Sequence, residues 1–419
     1  MASAAFGIDE YEQPPIEYSK STPDNRVTAF QTAIERKSIL LDHEERFGYL
    51  RDLLHHLEIS RHTQMLVFSK TSMQRDRISP RTPRAIYFND DTYVGYCHGG
   101  KVIEISAADS HLGAVFYTLD QTSGVQPAIT RETHSCLQCH GATQTDGIPG
   151  FLVRSVFTGP SGLPILSEGT HRVNHATPIE KRWGGWYVSG THGDQSHMGN
   201  LIIRDRDAQR PWMNEEAQNV TDLSDRFSTR NYISAHSDIV ALMVFEHQTH
   251  VHNLITKASF AARQALHYER GLNEALGEPE DKRLESTTRR IENAGENLLK
   301  GLLLVDEAPL KGPIIGTSAF AEEFSRLGPR DKQGRSLRDL NLKDRLFEYP
   351  CSYLIYSRAF NELPLAVTQY LTKRFSDILA GQGGEAFARL NRADREAVVE
   401  IIKATKPDLL RSTPSHADR

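Results

Sequence analysis

The pattern of polar and apolar positions divides the chain into three successive parts. From about 26 to 57 apolar residues recur every three to four positions, which predicts two amphipathic helices that break near Asp42. Between about 85 and 119 four short runs of β-branched and aromatic residues alternate with turn residues, which predicts an antiparallel meander. After about 233 the helical period returns and continues to 407.

Shorter signals complete this pattern. A β-type run lies at 64–69, and strand-like pieces at 151–153 and 185–188 lie in loops rich in Gly, Pro and His. Long helices are predicted at 237–268 and 278–304, and at least three more at 352–407. Asn391 is the predicted N-cap of the last helix, because acidic residues follow it in the first turn.

The pattern predicts an α+β protein. We expect a β-rich centre, made of the antiparallel meander and long loops, between a helical N-terminal layer and a mostly helical C-terminal half. Residues 1–24, rich in Pro, Glu and Ser, are expected to form an extended arm over the surface. A domain of helices, strands and loops is predicted at 25–205, with a helical domain at 206–419 packed on it.

Composition removes some classes of protein and directs attention to ligands. The 419 residues contain 49 Lys and Arg against 54 Asp and Glu, a net charge of −5 that does not indicate a nucleic-acid or membrane-surface binder. No apolar run approaches the ~20 residues of a membrane span, and the first nine residues do not resemble an export signal. There are 18 His, many of them between 134 and 197, and only four Cys.

The sequence Cys136-Leu137-Gln138-Cys139-His140 carries the clearest chemistry. In a C-x-x-C-H motif the two thiols add across the two vinyl groups of one haem, and the adjacent imidazole becomes the proximal iron ligand. The alternatives are an accidental Cys pair, a redox-active C-x-x-C or half of a zinc site. A zinc site would need a second Cys or His pair at similar spacing, and a redox motif needs no His after the second Cys. The motif favours one covalent haem c, held in the domain at 25–205.

A resemblance to known proteins supports this interpretation. The pentapeptide with Gly141 resembles the attachment site of c-type cytochromes. The stretches 66–72, 84–91 and 182–188 resemble a poorly characterised group of bacterial single-haem proteins of the cytochrome c family. This resemblance spans most of the chain; it implies haem and export, but no particular reaction. The order of antiparallel strands followed by C-x-x-C-H is also loosely similar to the small β-sheet cytochromes of the c-prime-beta kind.

The sixth iron position would decide between electron transfer and catalysis. Met198 is a candidate distal ligand, because a thioether suits an electron carrier; it is equally a loop or core methionine. Histidines that would give bis-His iron are His192, His197, His171 and His175. A third possibility is an open distal site, in which proton-handling and cationic groups stabilise charge on bound oxygen. The candidates for that role are His171, Arg172, His175 and Arg154.

Three further features leave alternatives open. Residues 182–187 carry Trp183 and Trp186 and would either wall the haem or form a tightly packed strand and turn. On the predicted helix at 237–268, Glu246 and His250 share a face with Asn253; this face would hold a second metal or form a polar stripe towards the haem domain. The two remaining thiols, Cys97 and Cys351, would be free and buried or, after export, would form a disulfide.

The sequence therefore predicts a c-type haem protein of the bacterial periplasm, its export signal having been removed or replaced. The leading hypothesis is a haem-dependent oxidoreductase acting on a peroxide, oxygen or nitrogen-oxide type of molecule, because over 400 residues around one haem suggest a shaped pocket. The alternative is an electron-transfer cytochrome with His140 and Met198 as ligands that docks a redox partner. A haem-based sensor or binding module is the third hypothesis. The sequence does not indicate the oligomeric state.

Overall fold

A seven-stranded antiparallel sheet forms the centre of the protein. The computed structural model describes residues 10–124, 126–204 and 215–411. The strands in these ranges are β1 (Met65–Val67), β2 (Arg84–Phe88), β3 (Thr92–Tyr96), β4 (Val102–Asp109), β5 (Gly113–Asp120), β6 (Ile129–Glu132), β7 (Arg154–Val156), β8 (Thr170–Arg172), β9 (Trp186–Tyr187), β10 (Gly190–Thr191) and β11 (Ile315–Gly316). The order in the large sheet is β6-β5-β4-β3-β2-β1-β9, and β7 pairs with β8 and β10 with β11. The predicted meander is confirmed as β2 to β5.

The two faces of the sheet differ in polarity. Along β4, Ile103 and Ile105 are buried in the core, whereas Glu104 and Ser106 point to the other face and are only partly buried. This alternation follows from the two-residue period of a strand. At β4 and β5 the second face therefore offers a partly polar surface, and the C-x-x-C-H motif lies close to it.

Nine helices are present in the described ranges. They are α1 (Arg26–Glu35), α2 (Leu50–His56), α3 (Leu137–His140), α4 (Ile239–Leu276), α5 (Glu285–Leu302), α6 (Phe320–Arg326), α7 (Arg358–Asn361), α8 (Leu365–Asp377) and α9 (Arg392–Thr405). Asn391 caps α9 as predicted, since its side chain accepts a hydrogen bond from the Asp394 N–H. With the antiparallel sheet, these helices confirm the α+β fold. None of the described helices has the length and apolar character needed to span a membrane.

Helix α4 is the longest element and contacts many of the others. It begins where the Asp238 carboxylate accepts hydrogen bonds from the N–H groups of Val240 and Ala241, and it ends at Gly277, whose φ is +67°. Its 38 residues correspond to a length of about 57 Å. It packs along α5 and also touches β5, α6, α7 and α8.

The sheet and the C-terminal helices share one continuous apolar core. Val115 of β5, Phe245 of α4 and Ile401 of α9 all belong to it. The predicted boundary between the domains at 25–205 and 206–419 lies within residues 205–214, which are outside the described ranges. The division into two domains stays a prediction, and the parts on either side of it pack together.

The described part of the predicted arm differs from the expectation. Residues 10–24 form a short 3-10 helix and turns, and they do not extend over the surface. Ile16 and Tyr18 are fully buried, and the Tyr18 hydroxyl donates a hydrogen bond to the Ala114 carbonyl of β5 at 2.9 Å. Burial of these side chains, together with Tyr11, holds the segment against the core.

Candidate functional site

The C-x-x-C-H motif forms a single helical turn. The chain leaves β6 at Glu132, and after three residues Cys136 caps helix α3. Cys136, Cys139 and His140 are at positions i, i+3 and i+4 of this turn, so they lie on one side of it. Cys136 is partly buried, Cys139 is exposed, and neither thiol is in a disulfide. The spacing thus places two free thiols and one imidazole on one side of a single helical turn.

The His140 ring is held by a backbone carbonyl. Its Nδ1 lies 2.9 Å from the Gly150 oxygen, and the Gly150 N–H donates back to the His140 carbonyl at 2.8 Å. Because a carbonyl only accepts, Nδ1 carries the proton and Nε2 keeps its lone pair. Burial lowers the pKa of His140, so the imidazole is neutral at neutral pH. A neutral imidazole with a fixed Nδ1–H is in the form that binds a metal ion through Nε2.

The partly polar face of the sheet lies beside this turn. The His140 ring packs on Phe116 of β5 with a centroid distance of 4.7 Å. Arg84 of β2 and Glu104 of β4 form an ion pair at 2.5 Å, although β3 runs between their strands. They can meet because β3 has Gly95 there: a Cβ would lie 2.2 Å from the Arg84 guanidinium.

The charges of this face act on the motif. Glu104 and Arg84 are the charged side chains that perturb both Cys136 and His140 electrostatically. Within the described ranges the Arg84 Nε is buried and has no hydrogen-bond partner. A buried guanidinium N–H without a partner is costly, so it marks a place where an anionic group of a ligand would be stabilised.

The thiols do not have the character of a redox-active pair. Partial burial, with Glu104 and Glu132 nearby, raises the pKa of Cys136 to about 12. Redox C-x-x-C motifs depend on the opposite shift, which makes the thiolate available at neutral pH. The environment of Cys136 therefore disfavours thiol–disulfide chemistry.

Asn253 on α4 supports the loop whose Gly150 carbonyl holds His140. The Phe151 N–H donates to Asn253 Oδ1 at 2.8 Å, and Asn253 Nδ2 donates to the Phe151 carbonyl at 2.7 Å. Phe151 directly follows Gly150, so this double hydrogen bond positions the carbonyl that holds His140. The predicted face of Asn253 on α4 thus contacts the loop of the motif.

Met198 packs against residues other than those around His140. It is buried, and its sulfur accepts a hydrogen bond from the Ser155 hydroxyl at 3.5 Å. Its methyl group lies so close to Gly184 that a Cβ there would be 2.9 Å away. Met198 packs between the loop at 183–185 and β7, whereas the ring of His140 contacts β5 and Gly150.

His192 and His197 also have other partners. Their rings lie 4.6 Å apart by centroid, and the ring of His197 packs on Trp183 at 5.1 Å. Backbone N–H groups donate to both: Asn219 to His192 Nε2 at 3.0 Å and Gly199 to His197 Nδ1 at 3.0 Å. Burial lowers the pKa of both imidazoles. These are the contacts of structural histidines in a loop core.

The segment with two tryptophans is packed on protein. Trp183 is 1% exposed, and Trp186 donates from its indole to the Arg154 carbonyl at 2.9 Å. The structure favours the tightly packed strand and turn over an aromatic wall for a haem.

The distal-pocket candidates do not come together around His140. Arg154 and Arg172 face each other across the β7–β8 pair, with His171 opposite Ser155. Arg172 is exposed and donates to the Asp146 carboxylate at 2.9 Å, which ties it to the loop after the motif. Arg172 is thus the candidate that contacts the segment continuing from His140.

His175 packs against two histidines of α4. Its Nδ1 lies 3.0 Å from the His247 Nδ1, and its ring centroid lies 5.0 Å from that of His250. His247 contacts the Ser352 hydroxyl through Nε2 at 2.8 Å. Burial lowers the pKa of all three imidazoles, so they are neutral at neutral pH. His175 and His140 therefore lie in different surroundings.

Glu246 and His250 have different partners. The Glu246 carboxylate forms a buried ion pair with Arg182 at 3.0 Å, while His250 faces a cavity beside His175. In the described part of the chain, no three or more His, Cys, Asp or Glu side chains are grouped so that they could hold a metal ion by themselves. The face of α4 thus acts as a polar stripe that contacts the loops of the N-terminal half.

Cys97 and Cys351 are both buried and free. Burial raises the pKa of each thiol well above its usual value.

Comparison with known proteins adds no family: no family model, curated protein or solved structure matches the chain.

Proposed function

We propose that the protein is a single-haem c-type haem protein in which Cys136 and Cys139 form the thioether bonds and His140 is the proximal iron ligand. The observation that carries this proposal is the geometry of one turn: both thiols and the imidazole lie on one side, and Gly150 holds His140 with Nε2 available. When bound, the haem would supply an iron that exchanges electrons or binds a small oxidant.

The residues around the turn have supporting roles. Phe116 packs on the imidazole, and the Gly150 carbonyl fixes its tautomer and increases its basicity. The unpartnered Nε of Arg84 is suited to pair with a carboxylate of the cofactor. Haem c is normally attached outside the cytoplasm, so the proposal includes a periplasmic location.

The reaction that fits these surroundings best is haem-dependent oxidoreduction of a small molecule. Met198, His192 and His197 each have partners elsewhere, which favours a sixth iron position open to a peroxide, oxygen or nitrogen-oxide type of ligand. The exposure of Cys139 favours an accessible cofactor edge, through which a redox partner protein would deliver electrons. The second candidate is electron transfer alone, with the sixth position filled by Met198 after a rearrangement.

Covalent attachment is tested by expression of the full chain with a haem-attachment system, followed by denaturation and acid-acetone extraction. We expect one porphyrin to stay on the polypeptide by mass, and the C136A/C139A variant to retain none. The buried thiols provide matched controls, since C97A and C351A should keep the cofactor. Zinc bound at Cys136 and Cys139, or porphyrin that is fully extracted from the wild type, would overturn the proposal.

The sixth ligand is tested by optical spectra in both redox states with carbon monoxide, nitric oxide and peroxide. An open site predicts high-spin iron, spectral changes with each ligand, and no effect of M198L. A low-spin spectrum that ignores every added ligand and is lost in M198L would instead establish the electron-transfer alternative.

A further inference from the structure

A second site is indicated by a cavity of about 900 Å³ between α4, α5 and the segments 146–148 and 174–176. Its volume is in the range of small-molecule pockets, about 300–1,000 Å³. Cys136, Cys139 and His140 do not line it. The cavity is therefore distinct from the C-x-x-C-H turn and does not depend on the haem proposal.

Helix α5 supplies one polar wall. Arg290, Asn293, Asn297 and Lys300 line the cavity and are spaced three, four and three residues apart, so they lie along one side of α5. The two amides can both donate and accept hydrogen bonds. This wall presents two cations and two neutral amides to whatever fills the cavity.

Only some of the charged side chains that line the cavity have an oppositely charged partner. Lys257 is tied to Asp146, and Arg290 donates to the Gln264 amide at 3.0 Å. Within the described ranges, the Lys300 ammonium group and the Asp306 carboxylate have no ion-pair or hydrogen-bond partner; Lys300 is half-buried and Asp306 is exposed. Both side chains line the same cavity, although they do not pair with each other. In the described part of the chain, Arg290 and Glu10 also line the cavity without an ion-pair partner, so unpaired charges of both signs face the same space.

Two neutral histidines also line the cavity. His250 and the buried His175 line it, and the His250 Nε2 is directed towards Gly301 of α5. His250 lies within electrostatic range of Asp306. These neutral rings add hydrogen-bonding capacity without changing the balance of charge.

From this arrangement we propose that the cavity binds a small zwitterion, namely a free amino acid or a short peptide. Its carboxylate would pair with Lys300, its ammonium group with Asp306, and its remaining polar atoms with Asn293 and Asn297. A simple anion would leave Asp306 without a partner, and a simple cation would leave Lys300 without one. A zwitterion pairs with both, and two separate charges of opposite sign also fix its orientation.

The test is isothermal titration calorimetry of the full chain with the twenty L-amino acids, glycylglycine and triglycine. We expect at least one of these probes to bind with one-to-one stoichiometry. For the tightest probe, the N-acetyl derivative, which lacks the ammonium group, and the C-terminal amide, which lacks the carboxylate, should each bind at least tenfold more weakly. If no probe binds below 10 mM, or if both derivatives bind as well as the parent, the proposal is wrong.

Substitutions test which protein side chain pairs with each charged group of the ligand. K300M and D306N should each weaken binding of the parent at least tenfold, and K300M should have little further effect on binding of the amide. The matched controls are K403M and D281N, which remove exposed charges outside the cavity and should leave affinity unchanged. Equal affinity of K300M, D306N and the wild type for the parent probe would overturn the assignment. If a variant fails to fold, the two derivatives still test both charges on the wild type.

Discussion

The hydrogen bonds of Asn253 allow the support of His140 to be tested without touching the motif. In Asn253→Ala, the N–H and the carbonyl of Phe151 both lose their partner, at 2.8 and 2.7 Å in the wild type. Phe151 is 8% exposed, so water can replace these bonds only partly. The loop that carries Gly150 then has no anchor to α4 at this point.

The size of the effect follows from the two bonds. Each contributes about 1 kcal/mol net, and a buried backbone group left without a partner costs about 1–3 kcal/mol. We therefore expect the free energy of unfolding to fall by about 2–4 kcal/mol. In haem-loaded protein, a mobile Gly150 carbonyl would also weaken the bond from the His140 Nδ1–H and make the imidazole a poorer donor. A poorer donor stabilises the ferric state less. If the equilibrium shifts threefold from the ferric towards the ferrous state, the reduction potential rises by about 30 mV.

The assays are urea unfolding followed by circular dichroism and a spectroelectrochemical titration of the haem. Asn273→Ala is the matched control, because Asn273 is on the same helix and also donates to a backbone carbonyl, that of Lys282, at 2.8 Å. This control should lose stability and keep the potential of the wild type. If Asn253→Ala lowered stability by less than about 0.5 kcal/mol in water, or if its potential changed no more than that of Asn273→Ala, the proposed support would be wrong.

Three further predictions concern the core. Burial raises the pKa of Glu307 from 4.5 to about 7, so between these pH values the folded state keeps a proton that the unfolded chain has lost. The contribution of this carboxyl to the free energy of unfolding should therefore fall by roughly 3 kcal/mol between pH 4.5 and 7. In urea unfolding, the stability of E307Q should depend less on pH over this range. Arg182→Met removes the cation that pairs with the buried Glu246, whose pKa burial already raises to about 7, so Glu246 should take up a proton at pH 8. Stability at pH 8 should fall by about 3 kcal/mol, and adding E246L should recover part of it in the same urea unfolding assay. Maleimide should modify no cysteine of the native haem-loaded protein and two after unfolding, Cys97 and Cys351; a disulfide between them would give none.

The elements predicted best are those whose signals are local. The meander was predictable because turn residues separate its four apolar runs, and α9 because Asn391 caps it. The strand predicted at 151–153 instead begins at Arg154, because Phe151 bonds to the Asn253 side chain and not to a neighbouring strand. Similarly, the helix predicted at 278–304 begins only at Glu285. Such shifts depend on tertiary contacts that a local pattern does not contain.

The candidate site was predictable in its residues and not in its surroundings. Cys136, Cys139 and His140 are identified by spacing alone. The group that holds His140 is the carbonyl of Gly150, and a backbone carbonyl has no side-chain signature in a sequence. Met198 is a plausible ligand by residue type, but its partner Ser155 is on β7, 43 residues away along the chain. Only the folded chain shows which of several capable side chains are already engaged.

One helix serves both regions of interest. His250 lines the cavity, and Asn253 bonds to the residue that follows Gly150. The two are three residues apart on α4, which is less than one turn of the helix. A displacement of this turn would move both the cavity lining at His250 and the hydrogen bonds of Asn253 to Phe151. By reciprocity, if a ligand bound in the cavity displaces α4, the position of His140, the proposed iron ligand, would change, and a change at His140 would alter the affinity of the cavity by the same free energy.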